Sequence, residues 1–392
     1  MSESTDVAIV GAGPAGAWAA WRLARAGARV RLFDPSHPRE KPCGGGVTGR
    51  ALTLVADALE AAALPAVAVD RARFEDPRTG AVDVPLEGSR PGTPAALLIV
   101  DRTRFDGALL EAACRAGAEH VAERVIDVAA DSRATLRTDR GHAFTAGWVI
   151  GADGANSLVR RRLHRPFRRD QLSIAAGVFA HGATSREVVV RFVANPAGYI
   201  WSFPRPDHLA IGICAQADSA ATASLRRILD EWLDASGLAR GARLQPYAWP
   251  IPSLGARDLA LERPAGPRHL LVGDAAGLVD PITREGIFFA LLSARLASDA
   301  LVAGGDPAAR YLAGLRGHIY PELARAARLK RGFFRGRFTA LLVDALRTSP
   351  PVRRVMADLV AGTQPYATLR RRLLRTFEIR LAWQLLRLEL GR

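Results

Sequence analysis

A short apolar strand that runs without a break into three spaced glycines and an alanine-rich helix leaves few folds open to this chain. Asp6 to Val10 reads DVAIV, Gly11 to Gly16 reads GAGPAG, and an Ala/Leu-rich stretch continues to Ala26. Gly11 suits a tight turn, Gly13 a close backbone approach to a pyrophosphate, and Gly16 a close contact between helix and sheet. Pro14 and Ala15 complete the start of a helix whose free N–H groups face the phosphates. A second strand, Ala28 to Phe33, ends at Asp34, placed to accept from a pair of ribose hydroxyls. Glycines alone would be a weak signal, but strand, helix and terminal acid in register predict a dinucleotide site.

The later chain distinguishes between dinucleotides. Trp148 to Ile150 is a short apolar strand before Gly151-Ala152-Asp153-Gly154, and His269 to Val272 leads into Gly273-Asp274-Ala275-Ala276-Gly277. In each turn the glycines allow backbone to approach a ligand, and the carboxylates of Asp153 and Asp274 suit sugar or ribityl hydroxyls. A nicotinamide cofactor has no use for a contact so far along the chain; FAD is long enough for all of them. Arg102, ahead of an apolar helical face at Leu109, Leu110 and Ala113, is placed to neutralise the pyrophosphate or hold the adenosine end. A surface arginine is the competing reading. After Pro281-Ile282-Thr283-Arg284-Glu285, a helix beginning near Gly286 and Ile287 would aim its positive end at the flavin edge where charge accumulates on reduction. Glu285 fits that field or is an ordinary acidic residue at a helix start.

Between these turns, Lys41-Pro42-Cys43-Gly44-Gly45-Gly46 sets a thiol beside three glycines. Of the three cysteines, Cys114 falls in the apolar helical pattern and Cys214 in the strand Leu209 to Ala215, so both read as buried hydrophobes. Their wide spacing, with no C-x-x-C pair, predicts no metal centre. Alternation over Tyr199, Trp201 and Phe203 puts three rings on one strand face and Ile200 and Ser202 on the other. Such a face forms either an apolar cavity wall or the core of a sheet.

In this order, GAGPAG, GADGANS and GDAAG resemble the FAD-dependent p-hydroxybenzoate hydroxylase-like superfamily. KPCGGGVTGRAL, GYIWSFPR and GDAAGLVDPITREGIFFAL are similar, within it, to the geranylgeranyl reductase family. The resemblance runs from residue 6 to about 300. It implies that Cys43 and Gly44 to Gly46 lie beside the isoalloxazine, with Cys43 a candidate catalytic group. It also implies that Tyr199, Trp201, Phe203 and Pro204 line a substrate cavity, with Tyr199 and Trp201 as further catalytic candidates. Arg205 stands where the family often has lysine or glycine, and Arg284 where several relatives have glycine. The implied activity is saturation of prenyl double bonds on a lipid, quinone or pigment precursor, by hydride from reduced flavin plus a proton. An isolated alkene has no carbonyl to draw off charge, so protonation must precede or accompany hydride delivery; aromatic rings favour the resulting cationic character. No acid near the motifs stands out as the donor. With only one complete glycine fingerprint, NADPH or NADH must visit transiently, or another donor must reduce the flavin. The same scaffold also serves oxygen-using monooxygenases and halogenases, the latter wanting a lysine along an internal tunnel. A non-enzymatic prenyl-lipid carrier would keep the cavity without turnover.

At 392 residues and 49% hydrophobic content the chain is expected to form two units. The fold class expected is α/β: a Rossmann-like FAD-binding domain, an α+β substrate domain on an antiparallel sheet, and a helical C-terminal region. The FAD domain would be discontinuous, from residues 1–68, 101–165 and 268–310. Residues 69–100 and 166–267 would build the substrate domain, with strands over Glu187 to Val193, Tyr199 to Phe203 and Leu209 to Ala215 and a helix over Ser224 to Ala235. Residues 311–392 form the basic C-terminal region. The formal charge is +15, and from Arg316 onward 16 Arg and one Lys face five Asp or Glu, a surplus of +12. Leu369, Leu373, Leu374, Phe377, Leu381, Trp383, Leu385 and Leu388 lie among these arginines. The pattern suits either a helical lid over the substrate domain or peripheral contact with an anionic membrane surface. No nucleic-acid module accompanies the basic patch. No apolar run approaches the ~18 residues of a membrane span, and MSESTD leads straight into the first strand without a secretory pattern, so a cytoplasmic location is expected.

Overall fold

The computed structural model describes residues 5–60, 63–86, 96–218 and 222–375, with Trp383 and Arg387. The fingerprint strand Thr5–Val10 is central to an eight-stranded sheet, where it pairs in parallel with Val30–Phe33 on one side and Ala143–Gly151 on the other. His269–Leu271 extends the parallel set beyond Ala143–Gly151, and Glu119–Val121 extends it beyond Val30–Phe33. Because parallel strands need crossovers, both sheet faces are covered. The helices Pro14–Arg25, Arg102–Arg115 and Ile287–Ala303 supply much of that cover, and their buried residues share one core with the strands.

A second sheet carries seven strands in the order Arg243–Pro252, Leu172–His181, His208–Gln216, Ala197–Pro204, Glu187–Ala194, Arg71–Asp76, Gly80–Pro85. Its pairings are antiparallel apart from the parallel contact of Arg71–Asp76 with Glu187–Ala194. Strict alternation gives this sheet two different faces. Ile200, Ile211 and Ile213 point under the helix Thr222–Ser236, against Leu225, Leu229 and Trp232. Tyr199 and Trp201 point the other way, into a cluster shared with the C-terminal helices. Residues 96–100 do not join the seven strands: Leu97–Val100 pairs with Gly46–Thr48 and Ala66–Ala68 in a separate three-stranded sheet.

The C-terminal region is a roof of helices, Tyr320–Phe333, Gly336–Thr348, Pro350–Val360 and Tyr366–Arg375, over the open face of the second sheet. Phe333, Phe338, Leu346 and Met356 are buried there, each such side chain contributing about 1.5–3 kcal/mol. A buried hydrogen bond from Thr339 Oγ1 to Asp76 Oδ2 (2.7 Å) pins roof to sheet. Leu369 and Leu373 are buried in this cluster, so the apolar face of the last helix is covered by protein, while Leu374 is exposed. Phe377, Leu381, Leu385 and Leu388 lie outside the described residues. No helix among the described residues is long and apolar enough to cross a membrane.

One expectation about burial fails. Cys114 is exposed. The buried stripe of its helix runs through Asp106, Leu109, Leu110 and Ala113, and one residue further on turns about 100° away from it. Cys214 is buried, as its strand position predicts.

The helix Pro307–His318 is fastened to the strand that feeds the Gly273 turn by a bond from the Tyr311 hydroxyl to the Leu271 carbonyl, 2.6 Å long and fully buried. Tyr311→Phe is expected to lower unfolding stability by about 1–3 kcal/mol in chemical denaturation while leaving FAD content unchanged.

Candidate active site

The strand ends of the first sheet assemble the nucleotide end of the site. Gly11 N–H donates to the Phe33 carbonyl (2.8 Å), and Ala12 N–H donates to Asp34 Oδ2 (2.9 Å). Asp34 also accepts from Ser36 N–H and Oγ, from His37 N–H, and pairs with His37 Nδ1 at 2.7 Å. The far nitrogen of His37 faces Asp106 at 3.6 Å, and Asp106 in turn receives a two-pronged contact from Arg102 (2.9 and 2.7 Å). Arg102 is therefore no surface arginine: it is 2% exposed. Burial works against all these charges. For Asp34 it is outweighed by His37 and by backbone donors of Ala12 and Ser36, which hold the carboxyl well below its usual range. For His37 it is outweighed by Asp106 and Asp34, which raise the imidazole. Sequence reasoning missed His37, whose only local signal is its place three residues after the acid.

The other predicted nucleotide residues adjoin this network. A Cβ on Gly11 would strike the carbonyl of Ala152, so the 151–154 turn packs directly on the fingerprint. Asp153 itself turns toward the helix Leu158–Leu163, accepting from Ser157 Oγ (2.5 Å) and Leu158 N–H (2.6 Å), and leaves Gly154 as the backbone face of that turn. Gly273 lies against Ala15 and Ala290, which brings the third turn to the starts of both the Pro14 and Ile287 helices.

At the other end a cavity of about 260 Å3 opens between the seven-stranded sheet, the glycine loops and the roof. Pro14, Cys43, Gly44, Gly45, Gly46, Arg102, Asp274, Gly286 and Ile287, which the sequence assigns to the cofactor, all line it. Tyr199, Trp201 and Phe203 form part of its far wall, whereas Pro204 lies outside the lining. The helices starting at Pro14 and Ile287 both lack a side-chain cap, so their first N–H groups are free for a ligand. Two uncapped helix starts, a buried arginine and a largely apolar slot fit a flavin dinucleotide. Lys41 Nζ pairs with Asp274 across the slot at 3.3 Å. Glu285 accepts from Thr48 Oγ1 (2.7 Å) and pairs with Arg50, which fixes it as a bracket between the two loops.

The glycine run is required by protein as much as by ligand. A Cβ on Gly44 would sit 2.9 Å from the Phe203 ring, and one on Gly45, already at φ +83°, would sit 2.6 Å from the Arg205 guanidinium. Arg205 donates to the carbonyls of Val100 and Cys43 and to Glu40 (3.0 Å). The Cys43 sulfur accepts the Gly45 N–H at 3.3 Å, so its position is set by the loop's own backbone.

The apolar wall extends beyond the predicted rings. Phe74, Val188, Val190 and Phe192 from neighbouring strands, and Phe333, Phe334, Met356 and Leu359 from the roof, complete it. Alternation at Val188, Val190 and Phe192 carried the strand part of this signal; nothing local marked the roof residues. Tyr199 stacks on Phe334 (5.9 Å, 21°), and its hydroxyl donates to the Thr283 carbonyl (3.2 Å). Burial, then Cys214, pushes the phenol well above its usual range, so it stays protonated.

Two outcomes follow. Gly45→Ala, strained in backbone and displacing Arg205, is expected to lower FAD retention after gel filtration by ~10-fold or more. Because His37 is raised in the folded state, its contribution is complete below the unfolded value of ~6.5 and is lost as pH rises through the higher folded value. Denaturation midpoints should therefore fall on the alkaline side in the native chain and lose that component in His37→Gln.

Comparison with known proteins accords with this geometry. The family model for the FAD binding domain matches residues 4–302. The menaquinone reductase of Mycolicibacterium smegmatis is 32% identical over 324 residues, 78% of each chain. The geranylgeranyl diphosphate reductase of Rhodobacter capsulatus is 33% identical over 318 residues, 77% of each. The crystal structure of a geranylgeranyl bacteriochlorophyll reductase-like protein from Thermoplasma acidophilum shares the fold with a TM-score of 0.80 at 22% identity, over 95% of this chain and 99% of that one. The cofactor is FAD, and with this much identity over three-quarters of two relatives the chain belongs to the geranylgeranyl reductase family of p-hydroxybenzoate hydroxylase-like flavoproteins.

Proposed function

We propose that this flavoprotein saturates carbon–carbon double bonds of a prenyl chain. One observation carries the reading: a single cavity runs from the Cys43–Gly46 loop and the Gly286 helix start to an apolar channel between sheet and roof. Such a channel, with a mostly apolar wall, accepts an extended hydrocarbon. In this reading residues 1–68, 101–165 and 268–310 hold the cofactor, and the remaining sheet with its roof holds the lipid.

Bound FAD supplies the hydride. The chain's residues do the rest. Tyr199 and Trp201 place π-faces beside the alkene, where they stabilise cationic character at the more substituted carbon. The roof excludes water, which strengthens every electrostatic contact inside. Cys43 and Tyr199 are protic side chains of the cavity lining, and the phenol is held neutral. A nicotinamide reductant visits the open side, as the chain carries one fingerprint. Exposed Leu374 and Trp383, within a region of strong positive surplus, support peripheral contact with an anionic lipid surface from which such a substrate would be drawn.

An oxygen-using reaction is the second reading of the same scaffold. The two lysines weigh against its halogenase form: Lys41 is paired with Asp274, and Lys330 is bonded to Ser253 and Gln216.

Anaerobically photoreduced holoprotein should reoxidise on mixing with geranylgeranyl or menaquinone substrates and yield product gaining two hydrogens per bond. Oxygenated or halogenated product under air, with no saturation anaerobically, overturns the reading. Trp201→Ala should reduce kcat/KM for the lipid at least ~10-fold, about 1.4 kcal/mol, with FAD retained. Parallel loss of flavin would make Trp201 a core residue only.

A further inference from the structure

His181 closes the strand Leu172–His181 and His208 opens the strand His208–Gln216, and the antiparallel register sets the two directly opposite each other. A cross-strand pair points to one face of its sheet, so the imidazoles stand side by side, ring centroids 5.1 Å apart and planes at 41°. Asp207, next to His208 in the chain, approaches its Nδ1 at 2.7 Å. One ligand atom from each of the three residues lies within 4.8 Å of those of the other two. His208 is buried edge-on against Phe179, and its Nε2 has no hydrogen-bond partner. The Asp207 side chain is by contrast 71% exposed and His181 half-buried, which leaves the cluster a way in from solvent. None of the three lines the cavity, and flavin chemistry has no use for them.

We propose that His181, Asp207 and His208 form a binding site for a divalent ion of the zinc type, outside the flavin cavity. Two neutral imidazoles and one carboxylate are the donor set that zinc takes when it keeps a further position for water, whereas magnesium and calcium call for oxygen donors. Donors in a tetrahedron of ~2.0 Å bonds stand roughly 3.3 Å apart. The exposed carboxylate and the half-buried His181 ring therefore draw in, while the packed His208 ring stays. Gln245 Oε1, 3.1 Å from His181 Nε2, orients that ring from the neighbouring strand. Arg243, opposite His181 on the same strand, is exposed, so its charge is screened by water. The ion serves the fold rather than the reaction. The turn between Pro204 and His208 carries Arg205, whose N–H donates to the His208 carbonyl at 2.8 Å and whose side chain grips the Cys43 loop. Bridging His181 to Asp207 and His208 ties that turn to the next strand and braces the grip from behind. Cysteine spacing gave no reason to expect a metal, because these ligands meet only through strand pairing.

The probe is zinc chloride titrated calorimetrically into untagged, chelator-treated, FAD-loaded protein, beside His181→Gln, Asp207→Asn and Cys43→Ser. Flavin content reports folding in each, and His208 is left intact because its ring is packed. One zinc per chain with a Kd of ~10 μM or tighter, weakened ~10-fold or more in His181→Gln and in Asp207→Asn but retained in Cys43→Ser, supports the proposal. So does a rise in Tm of roughly 3–5 °C at a ~100-fold excess of zinc over Kd, in the native chain and not in the two ligand variants. Unchanged zinc affinity in folded His181→Gln and Asp207→Asn overturns it, as does binding that Cys43→Ser abolishes. Saturation only at millimolar zinc, or displacement by an equal concentration of magnesium, overturns it as well.

Discussion

The guanidinium of Arg205 holds the two halves of the site together. It stands at the end of the aromatic strand, and its reach to the carbonyls of Cys43 and Val100 and to Glu40 fastens the substrate sheet to the flavin loop. With its side chain entirely buried, its terminal nitrogens are met inside the protein by two backbone carbonyls at fixed positions and by Glu40, while Nε is left without a partner. The loop's three glycines then follow as a packing requirement, since Phe203 and Arg205 occupy the space that side chains would need. A loop so constrained keeps its backbone fixed, which is the kind of preorganisation that flavin chemistry needs.

On the opposite side the cavity is closed by contacts between rings. Phe333 meets Phe192 edge-on, Phe334 stacks on Tyr199, and Thr339 is tied to Asp76. These contacts join residues more than a hundred positions apart and make the roof part of the sheet's own core. The basic surplus of the C-terminal region belongs to the outer faces of helices whose inner faces are already occupied. Amphipathic pattern and lipid affinity are thus separate properties here, and only the exposed Leu374 and Trp383 offer apolar surface outward among its described residues.

What was legible in the sequence was local. Strand–glycine–helix order, the two later Gly/Asp turns and period-two alternation at Tyr199, Trp201 and Phe203 are patterns of near neighbours, and each corresponds to an element with those bounds or close to them. Three antiparallel strands, over 187–194, 197–204 and 208–216, and the helix that follows them were legible for the same reason, whereas the long strands Leu172–His181 and Arg243–Pro252 were not anticipated. What depended on distant partners was not. Arg205 looked like a departure from a motif and became a clamp; Arg284 looked like another and shares Ser253 with Lys330 across the fold. An apolar stripe says that a helix face is buried but not against what, so the roof residues lining the cavity were invisible. Cys114 shows the reverse error, where an apolar neighbourhood was mistaken for an apolar face. Asp34 and Asp153 were found by motif, but their dense internal hydrogen bonding required coordinates.

The roof has a consequence for how such a chain can diverge. Phe333, Phe334, Met356 and Leu359 come from the last quarter of the sequence, while the buried network of Asp34, His37, Asp106 and Arg102 lies in its first third. Residues that shape the channel and residues that grip the cofactor therefore mutate at separate addresses. Exchanging one roof side chain for another of different volume reshapes the channel without touching Asp34, His37, Asp106 or Arg102. A fold partitioned in this way can explore new chain lengths and branch patterns while its redox machinery stays under unchanged selection.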